Sequence, residues 1–229
     1  MTHGDEYDMT GMTGALDITI AGQPATLLPS RALWLPTLDT LVVADLHWGK
    51  AAAFRAAHVP VPMGTTANDL ARLSHALTST QAKHLTILGD LLHAREGRHA
   101  ETLRTIADWR ANHPQVRITL VRGNHDVRAG DPPSVLRVFC VDPPHRLGPF
   151  VCTHEPAPST EGYVLSGHLH PSVSMYGRGR QSVRLPTFVF GPDVGVLPAF
   201  SSFTGGGMYE RNERDRLFVV ADEVIALEG

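Results

Sequence analysis

The chain is short of the features that mark several classes of protein. It has two cysteines, Cys140 and Cys152, too few for a disulfide framework and without the close pairing of a thiolate zinc site. No apolar run approaches the ~20 residues of a membrane span. The first fourteen residues are polar, acidic and glycine-rich, and they lack the basic and apolar regions of a secretory signal. We therefore expect a cytoplasmic protein with no membrane partner.

Strong charge of either sign is also lacking. Twenty Lys and Arg against 23 Asp and Glu give a formal net charge of −3. This argues against binding to DNA or membranes by bulk charge alone, although a local basic groove is compatible with it.

The pattern of apolar residues predicts an α/β domain. Three apolar runs that end in polar residues, at 40–47, 84–93 and 116–126, indicate buried strands, and helical patterns at 65–80 and 98–114 separate them. After residue 133 shorter strands follow without helical periodicity. We expect a disordered tail over 1–14 and a single domain over 15–229, built from two packed sheets with helices outside them.

Histidine is abundant, and its placement carries the functional signal. Five of the 13 histidines lie with Asp or Asn directly after apolar strands. Ligands bind at strand ends in α/β sheets, because side chains from several strands converge there. Each fragment is weak alone, but together they supply Asp, Asn and His without Cys, which suits Mn, Fe, Zn or Mg. The segments are Asp45-Leu46-His47, Gly89-Asp90, Gly123-Asn124-His125-Asp126, His154 and Gly167-His168-Leu169-His170.

This ordered set of motifs resembles the signature of the calcineurin-like metallophosphoesterases. The resemblance implies their fold, a four-layer sandwich of two mixed β-sheets flanked by helices. Three further segments, 45–55, 59–66 and 197–206, resemble the bacterial DNA-ligase-associated phosphoesterases of the DNA-damage response. That subfamily implies a manganese-dependent phosphodiesterase and endonuclease acting on DNA in repair, with a DNA ligase or helicase as a partner.

The resemblance also implies a site for two divalent ions, Mn first and Fe, Zn or Mg as alternatives. One ion would take Asp45, His47 and His170, the other Asn124, His154 and His168, with Asp90 bridging the two. Two such ions lower the pKa of a bridging water, so that hydroxide can attack phosphorus at neutral pH.

His125 and His93 are expected to act on the substrate. His125 would protonate the leaving oxygen or hold the phosphate, a role that suits imidazole, although a hydrogen-bonding role behind the ligands is the alternative. Many relatives continue the second motif to an Asp that pairs with this histidine, and here the position is His93. His93 either contacts the substrate phosphate or is a plain loop residue. Asp126 either orients a histidine or caps the following turn.

Basic residues near the motifs are candidates for phosphate binding. Lys50, Arg55 and Arg122 are the main ones, and Trp48 and Phe54 either stack on bases or belong to the core. Further arginines are found nearby in sequence, namely Arg95, Arg98, Arg128, Arg178, Arg180 and Arg184.

Two other functions fit part of this pattern. A phosphoesterase for a cyclic nucleotide or phosphomonoester would share every metal ligand. A non-catalytic scaffold with this fold is the other, and the presence of all seven ligand positions argues against it.

Overall fold

The structure is a computed structural model that describes residues 12–56, 58–61, 64–93, 99–177 and 181–227. Its first sheet has seven strands in chain order, antiparallel over the first four and parallel over the last four. These strands are β1 (Leu16–Ile20), β2 (Gln23–Leu28), β3 (Ala32–Leu35), β4 (Thr40–Ala44), β5 (His84–Leu88), β6 (Arg117–Val121) and β7 (Val138–Val141).

A second mixed sheet follows in the chain. Its strands are β8 (His145–Leu147), β9 (Phe150–Cys152), β10 (Tyr163–Ser166), β11 (Pro171–Tyr176), β12 (Ser182–Phe190), β13 (Val194–Val196), β14 (Gly207–Met208), β15 (Arg216–Val220) and β16 (Val224–Leu227). The spatial order is β14-β11-β12-β13-β10-β9-β8, and β15 joins β12 to β16. The predicted pair of mixed sheets is therefore confirmed.

The helices belong to the first sheet. They are α1 (Lys50–Ala56), α2 (Thr65–Thr80), α3 (Ala100–Ala111) and α4 (Asn124–Ala129). In the described part of the chain no α-helix follows α4. The physical reason is visible in the sequence after residue 133, where helical periodicity is lacking. None of the described helices is long and apolar enough to cross a membrane.

Alternating side chains of the first sheet divide the core in two. Leu41 and Val43 of β4 pack with Leu73 of α2, whereas Val42 and Ala44 pack with residues of the second sheet. This period of two buries both faces of the strand and explains why its sequence is continuously apolar. One core therefore lies between the two sheets, and the other lies between the first sheet and its helices.

The start of the folded region differs from the expected boundary at residue 15. Met12 packs against the helical side of the core, and the Gly14 carbonyl accepts a hydrogen bond from the Val224 N–H at 2.8 Å. Residues 12–14 are therefore held in place, because a backbone hydrogen bond and an apolar contact tie them to the domain. The rest of the predicted tail, residues 1–11, lies outside the described residues.

Candidate metal centre

The predicted ligands come from five strands whose carboxyl ends meet. Strands β4, β5 and β6 are parallel neighbours, so the segments that follow them leave the same edge of the first sheet. Strands β9 and β10 are parallel neighbours in the second sheet. The His168 N–H donates to Asp45 Oδ2 at 2.9 Å and so joins the two edges.

Asp45, His47 and His170 form one group of donor atoms. One atom from each lies within 4.8 Å of the others. His170 Nε2 is 3.3 Å from Asp45 Oδ1, and Asp45 and His47 are almost completely buried. A carboxylate and two imidazoles at these separations can share one divalent ion.

A second group is centred on His154 Nε2. The atoms Asn124 Oδ1 and His168 Nδ1 lie 3.0 Å from it, and Asp90 Oδ2 lies 3.4 Å away. The other ring nitrogen, Nδ1, is 3.0 Å from the Leu88 carbonyl. Such a backbone contact orients the ring of a metal-binding histidine and leaves Nε2 for the metal.

Asp90 lies between the two groups. Asp45, Asp90 and His154 also have donor atoms within 4.8 Å of one another. The structure thus brings together all seven predicted ligands, although their ligand role itself stays a prediction.

Buried polar atoms in the first group fit a metal ion. Within the described part of the chain, Asp45 Oδ1, both ring nitrogens of His47 and His170 Nε2 are buried without a hydrogen-bond partner. A buried polar atom without a partner costs about 1–3 kcal/mol. A bound cation would remove that penalty, so the donor set suits a divalent ion.

Protonation in the site follows burial and mutual contact. Burial is the main cause that lowers the pKa of His47 to about 2, despite the opposing charge of Asp90, so the ring is neutral and able to bind a metal. Burial by itself would raise the pKa of Asp90, but the hydrogen bond and charge of His154 outweigh it and lower the pKa to about 2. Asp90 is therefore a carboxylate at neutral pH.

The backbone at the site is strained. Asp45, His47, Asp90, His168 and His170 have φ values of 54°, 44°, 54°, 68° and 47°. Residues with side chains adopt this left-handed region at a cost of order 1–3 kcal/mol each, and such residues cluster at functional sites. The strain here allows successive side chains to turn into one centre.

The glycines of the motifs make room for the ligands. A Cβ on Gly89 would collide with the His154 ring, and one on Gly123 would collide with the Asp90 carboxylate. A Cβ on Gly167 would lie 2.6 Å from an Asp45 carboxylate oxygen. Close approach therefore explains why glycine precedes the polar residues in these three motifs.

Asp126 supports the ligand loops from behind. Its buried carboxylate accepts hydrogen bonds from the backbone N–H groups of Asp90, Leu91 and Gly123 at 2.7, 3.0 and 2.9 Å. It caps α4 and at the same time ties the Asp90 loop to the Gly123 loop. Of the two roles left open by the sequence, the structure therefore shows the capping one.

His125 and His93 lie side by side at the mouth of the site. Their rings stack with centroids 5.0 Å apart, and His125 Nδ1 is 2.6 Å from the His93 carbonyl oxygen. His125 Nε2 is 4.0 Å from Asp90 Oδ2. A backbone carbonyl is therefore the partner of the His125 ring.

The predicted cations differ in their surroundings. Burial lowers the pKa of Lys50, and the charges of Asp45 and Asp90 oppose that shift. Arg55 is exposed on α1. Of the further arginines predicted near the motifs, four lie outside the described residues, namely Arg95, Arg98, Arg178 and Arg180.

Arg122 was predicted to bind the substrate phosphate, but its guanidinium is paired with two carboxylates. Its guanidinium binds Asp131 through two hydrogen bonds of 2.7 and 2.8 Å and Asp142 through one of 2.9 Å. Two carboxylates compensate its charge and occupy its donors. We therefore leave Arg122 out of the proposed substrate surface.

The two aromatic residues predicted to stack on bases or to belong to the core differ in their environments. Trp48 is 3% exposed and packs edge-on against Trp109 in the core, so it cannot stack on a base. Phe54 is half-buried between His93 and Phe203, with ring centroids 6.1 and 5.7 Å away. Phe203 was not predicted from sequence, because it lies about 150 residues from Phe54 in the chain.

Comparison with known proteins agrees with this geometry. The family described as calcineurin-like phosphoesterase matches residues 38–158. The crystal structure of Pseudomonas putida nuclease MPE is 41% identical, covers 93% of this chain and 100% of its own, and superposes with a TM-score of 0.82. Yfce, a phosphoesterase from E. coli, is 19% identical over 80% of this chain and 88% of its own, with a TM-score of 0.39. Curated proteins gave no match.

The family match spans the ligand motifs from Asp45 to His154, and the P. putida structure extends the likeness over almost the whole chain. The resemblance seen in the sequence is thereby confirmed. This chain belongs to the calcineurin-like phosphoesterase family and is a metal-dependent phosphoesterase.

Proposed function

We propose that this protein hydrolyses phosphodiester bonds in DNA as an endonuclease that uses two divalent metal ions, with manganese as the working metal. The observation that carries the proposal is the convergence of carboxylate, amide and imidazole donors from five strand ends, several of them buried without a hydrogen-bond partner among the described residues. The nuclease from P. putida, which is 41% identical, supports a polynucleotide as the substrate.

Six of the proposed ligands are assigned to one of two ions, and the seventh is assigned to both. They share a position at a strand end and a donor atom that faces the centre. One ion is assigned to Asp45, His47 and His170, the other to Asn124, His154 and His168, and Asp90 is assigned to both.

Bound divalent ions would activate water as the nucleophile and offset charge on the phosphate oxygens. The chain supplies the rest of the chemistry. The His93 carbonyl holds the Nδ1 side of His125, so Nε2 is the nitrogen that can carry a proton to the leaving oxygen. Lys50 and Arg55 on α1 bring positive charge to the phosphate, and His93 stacks on His125 and limits its rotation.

The cellular part of the proposal is DNA repair in the cytoplasm, with a DNA ligase or helicase as a partner. The likeness of segments 45–55 and 197–206 to ligase-associated phosphoesterases supports it. Deletion of the gene in the source organism should lower survival after DNA damage, and a tagged copy should retain the ligase or helicase. Normal survival and no such retention would contradict this part.

The activity is tested with a panel of substrates at matched Mn²⁺ concentrations. The panel contains bis-p-nitrophenyl phosphate, p-nitrophenyl phosphate, and single-stranded and nicked DNA. We expect cleavage of the diester and of DNA, and loss of both in Asp90→Ala. Asp222→Ala, in an exposed turn, is the matched control and should keep wild-type rates.

Failure to cut any polynucleotide would refute the endonuclease. Hydrolysis of the monoester alone would support the phosphoesterase for small substrates instead. Undiminished activity in Asp90→Ala would contradict the two-metal assignment.

A further inference from the structure

We infer that a pocket beside His170 is a second phosphate subsite, which binds the phosphodiester group that flanks the scissile one in a polynucleotide. The inference rests on the proposed function, because it concerns the same substrate. The pocket has a volume of about 370 Å³ and is lined by Arg31, His170, Arg184 and Thr204, among others.

The pocket is continuous with the metal centre. His170 lines it and also lies 3.3 Å from Asp45 Oδ1. Ala199 and Ser202 form part of its wall. Between them, the Ser201 N–H donates to the Asp45 carbonyl at 3.3 Å, which holds this wall beside the end of β4. A polymer whose scissile phosphate reaches the metal ligands must therefore pass this pocket or the opposite side of the site.

Arg31 is fixed at the edge of that wall. Its Nη1 donates to the Ala199 and Ser201 carbonyls at 3.4 and 3.0 Å. Within the described residues these are its hydrogen bonds, so Nε and Nη2 can still bind an anion. Arg31 adopts a left-handed φ of 67°, a conformation that glycine or asparagine accepts more easily. The position thus carries a long cationic side chain at some cost to the backbone.

Two arginines lie close to a single carboxylate in the described part of the chain. Arg31 and Arg72 are both half-buried, and Asp69 is the carboxylate whose charge acts on both. Asp69 binds Arg72 Nη2 at 3.0 Å and accepts from the Ser202 N–H at 3.1 Å. Two guanidinium groups therefore share one carboxylate.

Burial, with the charge of Arg72 second, lowers the pKa of Arg31 to about 10, while Asp69 opposes the shift. Arg31 remains positive at neutral pH. Among the described residues that line the pocket, none is Asp or Glu, so an incoming phosphate meets only positive or neutral groups.

The opposite wall adds a second cation and an unused hydroxyl. Arg184 is exposed on β12, and its Nη1 donates to the Gly206 carbonyl at 3.1 Å. Thr204 Oγ1 is buried and has no hydrogen-bond partner in the described part of the chain. A side chain at Gly206 would collide with Ser172 and approach Arg184, so glycine keeps the space open. Two guanidinium groups and a hydroxyl around an open cavity are suited to a phosphodiester.

The subsite is tested by binding and by hydrolysis. Arg184→Gln, Arg31→Lys and Thr204→Val are compared with the wild-type protein and with Arg146→Gln. Arg146 is an exposed arginine of β8, 3.8 Å from Glu161, and serves as the matched control. Binding of a fluorescein-labelled oligothymidylate, with and without a 5′-phosphate, is measured by anisotropy in EDTA over a range of salt concentrations.

We expect Arg184→Gln to weaken oligonucleotide binding about tenfold, the typical effect of losing a charge-assisted hydrogen bond. It should also reduce the slope of log K against log salt by about 0.7, the value for one contact to a single strand. Arg31→Lys keeps the charge, so it should lose affinity but keep the slope. With Mn²⁺, both variants should lose more activity on the oligonucleotide than on bis-p-nitrophenyl phosphate.

Three results would overturn the subsite: equal weakening by Arg184→Gln and Arg146→Gln, no weakening by either, or weakening only with a 5′-phosphate. The last would assign the pocket to a terminal monoester. If the wild-type protein cleaves no diester with any divalent ion but its binding depends on Arg184, the proposed function fails and the subsite stands. If it cleaves DNA while Arg184→Gln binds like wild type, the subsite fails and the function stands.

Discussion

Gly167→Ala should disable the metal centre through one added methyl group. The new Cβ would lie 2.6 Å from Asp45 Oδ2 and 2.7 Å from the Ala44 Cβ, whereas ordinary contacts begin at 3.4 Å. The carboxylate must therefore move by about 0.8 Å, the difference between 3.4 and 2.6, because Ala44 is fixed in the core. Overpacking of this kind typically costs about 1–3 kcal/mol. A displacement of about 1 Å in a catalytic group can cost 100-fold in rate.

The assay combines titration with Mn²⁺, hydrolysis of bis-p-nitrophenyl phosphate and thermal unfolding. We expect a ten- to hundredfold loss of metal affinity, the range for disturbed ligand support, and a similar loss of rate, while the protein stays folded. Gly177→Ala is the matched control, because among the described residues its Cβ would have no neighbour closer than 3.7 Å. Wild-type metal affinity and rate in Gly167→Ala would refute the assignment of Asp45 as a ligand that glycine makes room for.

Three further predictions concern support, proton transfer and metal removal. Asp126→Asn should lower the free energy of unfolding by about 1–3 kcal/mol, because an amide accepts three backbone hydrogen bonds less well than a carboxylate does. Chemical denaturation measures this loss, and an unchanged midpoint would contradict the supporting role of Asp126. His125→Gln should reduce turnover of the diester by about 100- to 10,000-fold with unchanged Mn²⁺ content, and a normal rate would exclude it as the proton donor. Mn²⁺ at 100 times its dissociation constant should stabilise the fold by about 2.7 kcal/mol, which corresponds to a rise of roughly 5–10 °C in Tm. A chelator should reverse this rise. A Tm that changes with neither Mn²⁺ nor the chelator would argue against a metal site.

Much of the fold could be read from the sequence because the signals are local. The buried strands β4, β5 and β6 appear as continuous apolar runs, and α2 shows a leucine stripe with the helical period. The short helices α1 and α4 were not predicted, because seven and six residues are too few to display that period. In the described part of the chain no α-helix follows α4, in agreement with the lack of helical periodicity after residue 133.

Some residues of the candidate site could likewise be predicted from local sequence signals, and others could not. Asp45, Asp90 and Asn124 could be named because each follows a strand, and parallel strands bring such positions to one edge. Arg122 also follows a strand, but its charge is taken up by Asp131 and Asp142, and no sequence rule reports such pairs in advance. Arg31 was not named at all, because it lies in a turn far from every motif.

The sequence by itself indicated the chemistry of this protein, since the residue types at the strand ends suit divalent ions and the order of the motifs resembles that of the calcineurin-like phosphoesterases. Only the tertiary structure decided how those residues are used. It showed that Asp126 ties two ligand loops together, that the His93 carbonyl contacts the His125 ring, and that Trp48 belongs to the core. The physical reason is that donor type and strand position are local properties. Burial, charge compensation and contacts between distant loops arise only when the whole chain has folded.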